Sequence, residues 1–156
     1  MYMKIKNNKI DMGMEIVCLI SLLGVTLYLL INWSQIPQQV PMHYDWAGNI
    51  DRWGNKGELV ILPIISWILY LLITGMEQFP RIWNTGVTVT EENQIRVYRT
   101  LKYMIKTLKL IMVLDFTILN VCSITGRELP SWFLVVFLVA VFGDLIFWLV
   151  RLVKVK

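Results

Sequence analysis

The segment 36–56, Ile-Pro-Gln-Gln-Val-Pro-Met-His-Tyr-Asp-Trp-Ala-Gly-Asn-Ile-Asp-Arg-Trp-Gly-Asn-Lys, gathers residue types that could bind or react. It holds the only histidine, His43, with Asp45 and Asp51 close by and Glu58 just beyond. One imidazole and several carboxylates make His43 a weak metal candidate. Structural zinc uses four ligands, mostly Cys and His, and catalytic zinc three protein ligands. No HExxH or paired-histidine spacing occurs, so no metal or other cofactor is expected. A GxSxG nucleophile motif is absent too, and a single imidazole would have to serve every proton transfer. A non-enzymatic role is the expectation. What remains is binding, with Pro41, His43, Tyr44, Asp45, Gly48, Asp51, Trp53, Gly54 and Lys56 as candidates. Two uses are open. The prolines and aromatics could form a rigid cap with His43 and Asp51 hydrogen-bonded inside it. Alternatively, a concave side could receive a peptide, ion or lipid headgroup, since surface loops held by a scaffold often carry function.

A second set of chemically capable residues lies in apolar surroundings: Lys109, Asp115 and Asp144. Ionisable groups within a membrane are costly and by default suggest function. By helical rise Lys109 and Asp144 lie at similar depth, roughly 10 Å from one membrane face, and could pair with each other. Asp115 has no basic residue at its depth. It is expected to be protonated or to hydrogen-bond to Ser66, Tyr70 or Thr117. Lys106 is expected to snorkel to the interface.

The elements that must position both sets are apolar runs. The chain has 156 residues, is 56% hydrophobic and only 17% charged, with a mean hydropathy of +0.59. A helix needs about 20 mostly apolar residues to cross a bilayer. Residues 14–33, 59–75, 101–123 and 132–150 meet or approach that length. The fold class expected is therefore an all-α membrane protein: four transmembrane helices in one bundle, a single integral-membrane domain over residues 1–156, with the signature loop at 34–58. The first run is too long for a signal-peptide core and lacks a cleavage site, so it is expected to stay as a span. Pro37 and Pro41 enforce extended backbone, and Gly48 and Gly54 suit turns that need positive φ. Thr90-Glu-Glu-Asn93 resembles a helix N-terminus. Cys18 and Cys122 fall at opposite membrane faces, about 20 Å apart by helical rise, too far for a disulfide.

The net charge of +4 could suggest nucleic acid, but its distribution does not. Lys4, Lys6 and Lys9 precede the first span. Arg81, Arg96, Arg99, Lys102, Lys106 and Lys109 lie in or beside the link between spans two and three, and Arg151, Lys154 and Lys156 follow span four. Only Arg52, Lys56 and Arg127 fall on the other side. The positive-inside rule makes both termini cytoplasmic and the loop between helices 1 and 2 extracytoplasmic. Attraction to anionic lipid accounts for the remaining basicity, and no nucleic-acid partner is expected.

The run Val40-Pro-Met-His-Tyr-Asp-Trp-Ala-Gly-Asn-Ile-Asp-Arg-Trp-Gly-Asn-Lys56 resembles the signature of a bacterial membrane domain family of unknown function. That domain also forms the N-terminal part of SdpI-type immunity proteins. Pro37, Pro41, His43, Tyr44, Asp45, Gly48, Asp51, Trp53, Gly54 and Lys56 match its pattern, and the likeness continues more loosely through Pro63, Trp83-Asn84, Glu92-Asn93 and Tyr98. The resemblance implies a multi-pass protein of the bacterial plasma membrane. Its implied role is to bind a secreted peptide or toxin through the His43 loop, giving immunity or sensing. The chain is expected to hold this front domain without the second module of those proteins. Two other classes stay open. One is an accessory, small transporter or channel subunit, partnered with a larger membrane protein and using Asp115, Lys109 and Asp144. The other is a metal-dependent membrane enzyme centred on His43.

Overall fold

The computed structural model describes residues 5–155; Lys4 and Lys156, part of the basic pattern above, lie outside the described residues. Four helices dominate: α1 (Lys9–Asn32), α2 (Ile61–Glu77), α3 (Gln94–Thr125) and α4 (Phe133–Lys154). All four, α2 together with the 3-10 turn that precedes it from Lys56, are long and apolar enough to cross a membrane. Their outer faces carry exposed large apolar side chains, such as Ile16, Ile20 and Leu27 on α1 and Val135, Val139, Phe142 and Ile146 on α4. An apolar exterior is what lipid, rather than water, requires.

α1 and α3 start beyond the edges of their apolar runs, whereas α2 and α4 begin within theirs, at Ile61 and Phe133. At α1 the Asn8 side chain accepts the Asp11 N–H at 2.9 Å, and Asp11 Oδ2 accepts the Asn8 N–H at 2.8 Å. This reciprocal box starts the helix at Lys9 rather than near residue 14. The turn before α3 is closed similarly: Asn93 Oδ1 accepts the Thr90 N–H at 2.8 Å, and Thr90 Oγ1 accepts the Asn93 N–H at 3.3 Å. α3 then begins at Gln94, well before the apolar run at 101. It stops at Gly126, whose φ of 68° is left-handed, with Arg127 N–H bonded to the Cys122 carbonyl at 3.0 Å. A 3-10 turn, Lys56–Val60, leads into α2 and is capped by Asn55 and Glu58. Pro63 sits third in α2, where its missing N–H costs nothing.

The loop between α1 and α2 corrects the all-α expectation. It contains an antiparallel hairpin, β1 (Gln39–Tyr44) and β2 (Ile50–Asn55). Val40 pairs with Gly54, Pro41 with Trp53 and His43 with Arg52, and the register slips on both sides of His43. Such irregularity breaks the two-residue alternation by which a strand is read from sequence. A two-stranded sheet has only edges, so Pro41 is tolerated.

α3 is the hub, packing against α1, α2 and α4, while α4 rests mainly on α3. Three apolar clusters stack along the bundle. Cys18, Leu22, Tyr70 and Val113 form the middle one. Val25, Leu29, Ile36, Leu59 and Ile124 form the one at the hairpin end and enclose Val40 of β1. Trp83, Val97, Leu101 and Leu152 form the one at the end shared by the 78–93 link and the last turns of α4. Both cysteines are free.

Candidate functional site

The hairpin is built by its own turn and then fastened to the bundle. Asp45 Oδ1 accepts the N–H groups of Ala47 and Asn49 at 2.8 and 2.9 Å, and Oδ2 accepts Asn49 Nδ2 at 2.9 Å. The Asn49 side chain, helped by those backbone donors, holds the Asp45 carboxyl below its ordinary pKa of 3.8. The turn's contribution from Asp45 is therefore fully present above that value and is lost as pH falls through the lower, folded pKa. Following the Ala47 and Asn49 amide shifts by NMR should give a midpoint below 3.8, abolished in Asp45→Asn. A midpoint at or above 3.8 would contradict this account of the turn.

Gly48 has φ 91°, and a Cβ there would fall on the Leu129 carbonyl. This close approach lets the Gly48 carbonyl accept the Leu129 N–H at 2.9 Å, tying the turn to the α3–α4 link. Tyr44 reaches the same end of α3, with its hydroxyl 3.3 Å from Ser123 Oγ and donating to the Arg127 carbonyl at 3.2 Å. Burial raises the Tyr44 pKa, against a smaller opposite pull from the Ser123 hydrogen bond. At Gly54 the backbone conformation is ordinary, but a Cβ would stand 2.5 Å from Met42 Cγ and 2.8 Å from Glu58 Oε1.

The nine loop candidates thus divide. Pro41 is fully buried, and Tyr44, Asp45, Gly48 and Gly54 shape or dock the hairpin. Lys56 is buried, with Nζ 4.8 Å from the Trp33 ring centroid, so it is a packing residue and not a displayed charge. His43, Asp51 and Trp53 face outward. His43 Nδ1 lies 2.6 Å from Asp51 Oδ1, as a rigid cap would have it, but the two side chains are 65% and 44% exposed rather than enclosed. Trp46, at the hairpin tip, is also exposed. Among the described residues no three His, Cys, Asp or Glu side chains converge as a metal site would need.

Beneath the hairpin, where it meets α2 and α3, is a cleft of about 240 Å³. Arg52 and Glu58 stand 3.8 Å apart on its lining, with Met42, Leu59, Ile61 and Leu62 as apolar wall and Asn120 and Ser123 contributed by α3. Asn120 Nδ2 donates to the Phe116 carbonyl at 2.7 Å. A cleft with this lining can hold a short apolar side chain while its polar groups hydrogen-bond a backbone.

The other polar concentration lies in the half of the bundle away from the hairpin. Lys106 Nζ is 2.8 Å from Glu77 and 3.2 Å from Glu15. Lys109 Nζ is 2.7 Å from Glu77, 2.9 Å from Glu15 and 3.0 Å from the Thr74 hydroxyl. The Tyr70 hydroxyl donates to Glu15, and its ring lies 5.1 Å from Lys109 Nζ. Two lysines of α3 and one glutamate each of α1 and α2 therefore balance in charge and join three helices. One level further, Lys102 Nζ lies 3.3 Å from Asp11 and donates to Asn7 Oδ1 at 2.6 Å.

This cluster corrects the expected Lys109–Asp144 pair. Lys109 projects toward α1 and α2, whereas Asp144 accepts the indole N–H of its own helix's Trp148 at 3.0 Å. Lys106 does not snorkel, since it is 3% exposed inside the cluster. Asp115 is half-buried and makes no hydrogen bond or ion pair among the described residues; Ser66, Tyr70 and Thr117 donate to Leu62, Glu15 and Val113 instead. Glu15 and Glu77 escaped the sequence reading because they sit at the rims of their apolar runs. The available signal was their depth, which matches that of Lys106 and Lys109 one helical turn apart on a single face.

A family model described as a domain of unknown function (DUF1648) matches residues 20–66, from mid-α1 through the hairpin into α2. An uncharacterized protein of Archaeoglobus fulgidus is 34% identical over 89 residues, covering 52% of this chain and 49% of that protein. The chain therefore spans about half the length of the curated relative it matches. No solved structure matches it.

Proposed function

We propose that this chain is a non-enzymatic, multi-pass membrane protein of the SdpI-like type. In this reading the hairpin faces the cell exterior and takes a secreted peptide or toxin, for immunity or sensing. The observation that carries the reading is the cleft under the hairpin, mostly apolar but with Arg52, Glu58, Asn120 and Ser123 on its lining; the same hairpin carries the outward His43–Asp51 pair. The hairpin is held to the bundle at Tyr44 and Gly48, so a bound peptide would meet a preorganised surface and lose less ordering entropy on binding. The orientation draws on the basic residues. Lys102, Lys106 and Lys109 are matched by buried carboxylates. Lys6, Lys9, Arg81, Arg96, Arg99, Arg151 and Lys154 still favour a cytoplasmic location for the end that holds them.

Arg52→Ala and the double change His43→Ala/Asp51→Ala alter exposed side chains and should leave insertion intact. The expected result is at least a tenfold loss of peptide capture by protein in lipid nanodiscs, and of protection when the gene is expressed in a sensitive cell. Undiminished capture and protection by both variants would contradict a role for the hairpin.

A second reading, an accessory or small transport subunit, draws on the buried Glu15–Glu77–Lys106–Lys109 cluster rather than on the three residues first considered. It predicts co-purification with a larger membrane protein. Isolation of an active, peptide-capturing chain without such a partner would count against it.

A further inference from the structure

At the end of the bundle away from the hairpin, the first turns of α3 and the last turns of α4 enclose a groove of about 290 Å³. Its rim carries Arg96, Arg99 and Arg151, and its floor is made by Tyr103 and Trp148. The two floor rings stack with centroids 5.6 Å apart and planes 14° from parallel. The Trp148 indole N–H is already bonded to Thr107 Oγ1 at 2.8 Å and to Asp144 at 3.0 Å, and the Tyr103 hydroxyl accepts Asn8 Nδ2 at 2.6 Å. The floor is a flat, largely apolar surface. The rim is the opposite. Among the described residues, none of the three guanidinium groups has an acidic partner; Arg151 instead lies 5.7 Å over the Phe147 ring. The carboxylates of this end that form ion pairs, Asp11, Glu15 and Glu77, are engaged by Lys102, Lys106 and Lys109. Glu91 and Glu92 are exposed and form no ion pair among the described residues.

Unneutralised arginines around a groove call for an anion, and the guanidinium fork fits a phosphate with two parallel hydrogen bonds. The source of that phosphate follows from what adjoins the groove. Phe147 and Val150, next to Arg151 on α4, belong to the exposed apolar surface that faces lipid, and basic pockets between helices at a membrane face bind anionic headgroups. A free phosphate would leave the aromatic floor uncovered. A zwitterionic headgroup would bring its own cation against three arginines.

We propose that this groove holds the phosphate of one anionic glycerophospholipid, with Arg96, Arg99 and Arg151 as its ligands and the Tyr103–Trp148 pair beneath its glycerol and upper acyl carbons. The site is separate from the hairpin and does not depend on what the hairpin binds. The test is native mass spectrometry of the full chain in neutral detergent, titrated with phosphatidylglycerol or phosphatidylcholine. The wild-type protein should retain one phosphatidylglycerol with at least tenfold preference. The triple change Arg96→Gln/Arg99→Gln/Arg151→Gln should abolish that preference, Arg151→Gln alone should reduce it several-fold, and Arg127→Gln, at the hairpin end, should leave it unchanged. Equal retention of both lipids by the wild type, or an unchanged preference in a triple variant that melts like the wild type, would overturn the proposal. So would displacement of the lipid by millimolar inorganic phosphate, which would make the groove a site for the soluble anion. Should the triple variant fail to fold, Arg151→Gln carries the test: undiminished preference there overturns the assignment.

Discussion

Lys109→Met is expected to destabilise the bundle by about 3–5 kcal/mol, the scale seen when one member of a buried ion pair is removed. The Lys109 side chain is 1% exposed and touches Glu15, Glu77, Thr74 and the Tyr70 ring. Without it, two carboxylates share Lys106 alone, and one negative charge stays buried with no counter-charge. The cost arises from that charge and not from lost apolar contact, since methionine fills nearly the same volume. Adding Glu77→Gln to Lys109→Met restores neutrality and should recover most of the loss. Denaturant or thermal unfolding of detergent-solubilised protein would measure both effects. A loss below about 1 kcal/mol, the range of exposed pairs, would mean that the cluster is hydrated and does not bind the helices together. The same logic makes the cluster a specificity device. A helix cannot shift along its neighbours without separating charges, whereas apolar faces in lipid can slide at small cost.

Gly48→Val should release the hairpin turn from the α3–α4 link without disturbing the spans. At φ 91° a branched side chain is strained, at a cost of about 1–3 kcal/mol. Its Cβ also meets the Leu129 carbonyl, so the hydrogen bond from Leu129 N–H to the Gly48 carbonyl must break as well. That bond is worth about 1 kcal/mol more. Together these outweigh the Tyr44 hydrogen bonds that hold the turn, while buried Val40 and Pro41 keep the base of the hairpin in the bundle. Proteolysis within residues 45–50 should accelerate at least tenfold, and the Leu129 amide should lose exchange protection. Peptide capture should fall with them, while melting of the helices stays near the wild-type value. Native protection at Leu129 in this variant would contradict the docking account.

The helices were legible because runs of apolar residues about 20 long have few alternatives. Their polar ends were legible in part. Thr90–Asn93 reads as a helix N-terminus and α3 does begin at Gln94, whereas Lys9–Gly13 reads as a flanking segment although the Asn8–Asp11 box makes it helical. The loop was legible as special but not as a hairpin, since the irregular register around His43 hides the alternation. Composition singled out candidate residues there without dividing them by task. Lys56, a binding candidate by sequence, is buried against the Trp33 ring, whereas Arg52, outside that candidate set, lines the cleft. Intramembrane charge was read from mid-span residues, which drew attention to Asp115 and Asp144 and away from Glu15 and Glu77. Pairing depends on which face of each helix meets which neighbour. A single sequence with four apolar helices leaves that open, because lipid-facing and buried sides have the same composition.

The functional reading requires the cleft to open on the outer surface. In a chain carrying Cys18→Ser and Cys122→Ser, a membrane-impermeant maleimide should label Arg52→Cys in intact cells. Glu92→Cys, at the other end, should react only after lysis. The reverse pattern would place the hairpin in the cytoplasm and contradict any encounter with a secreted peptide.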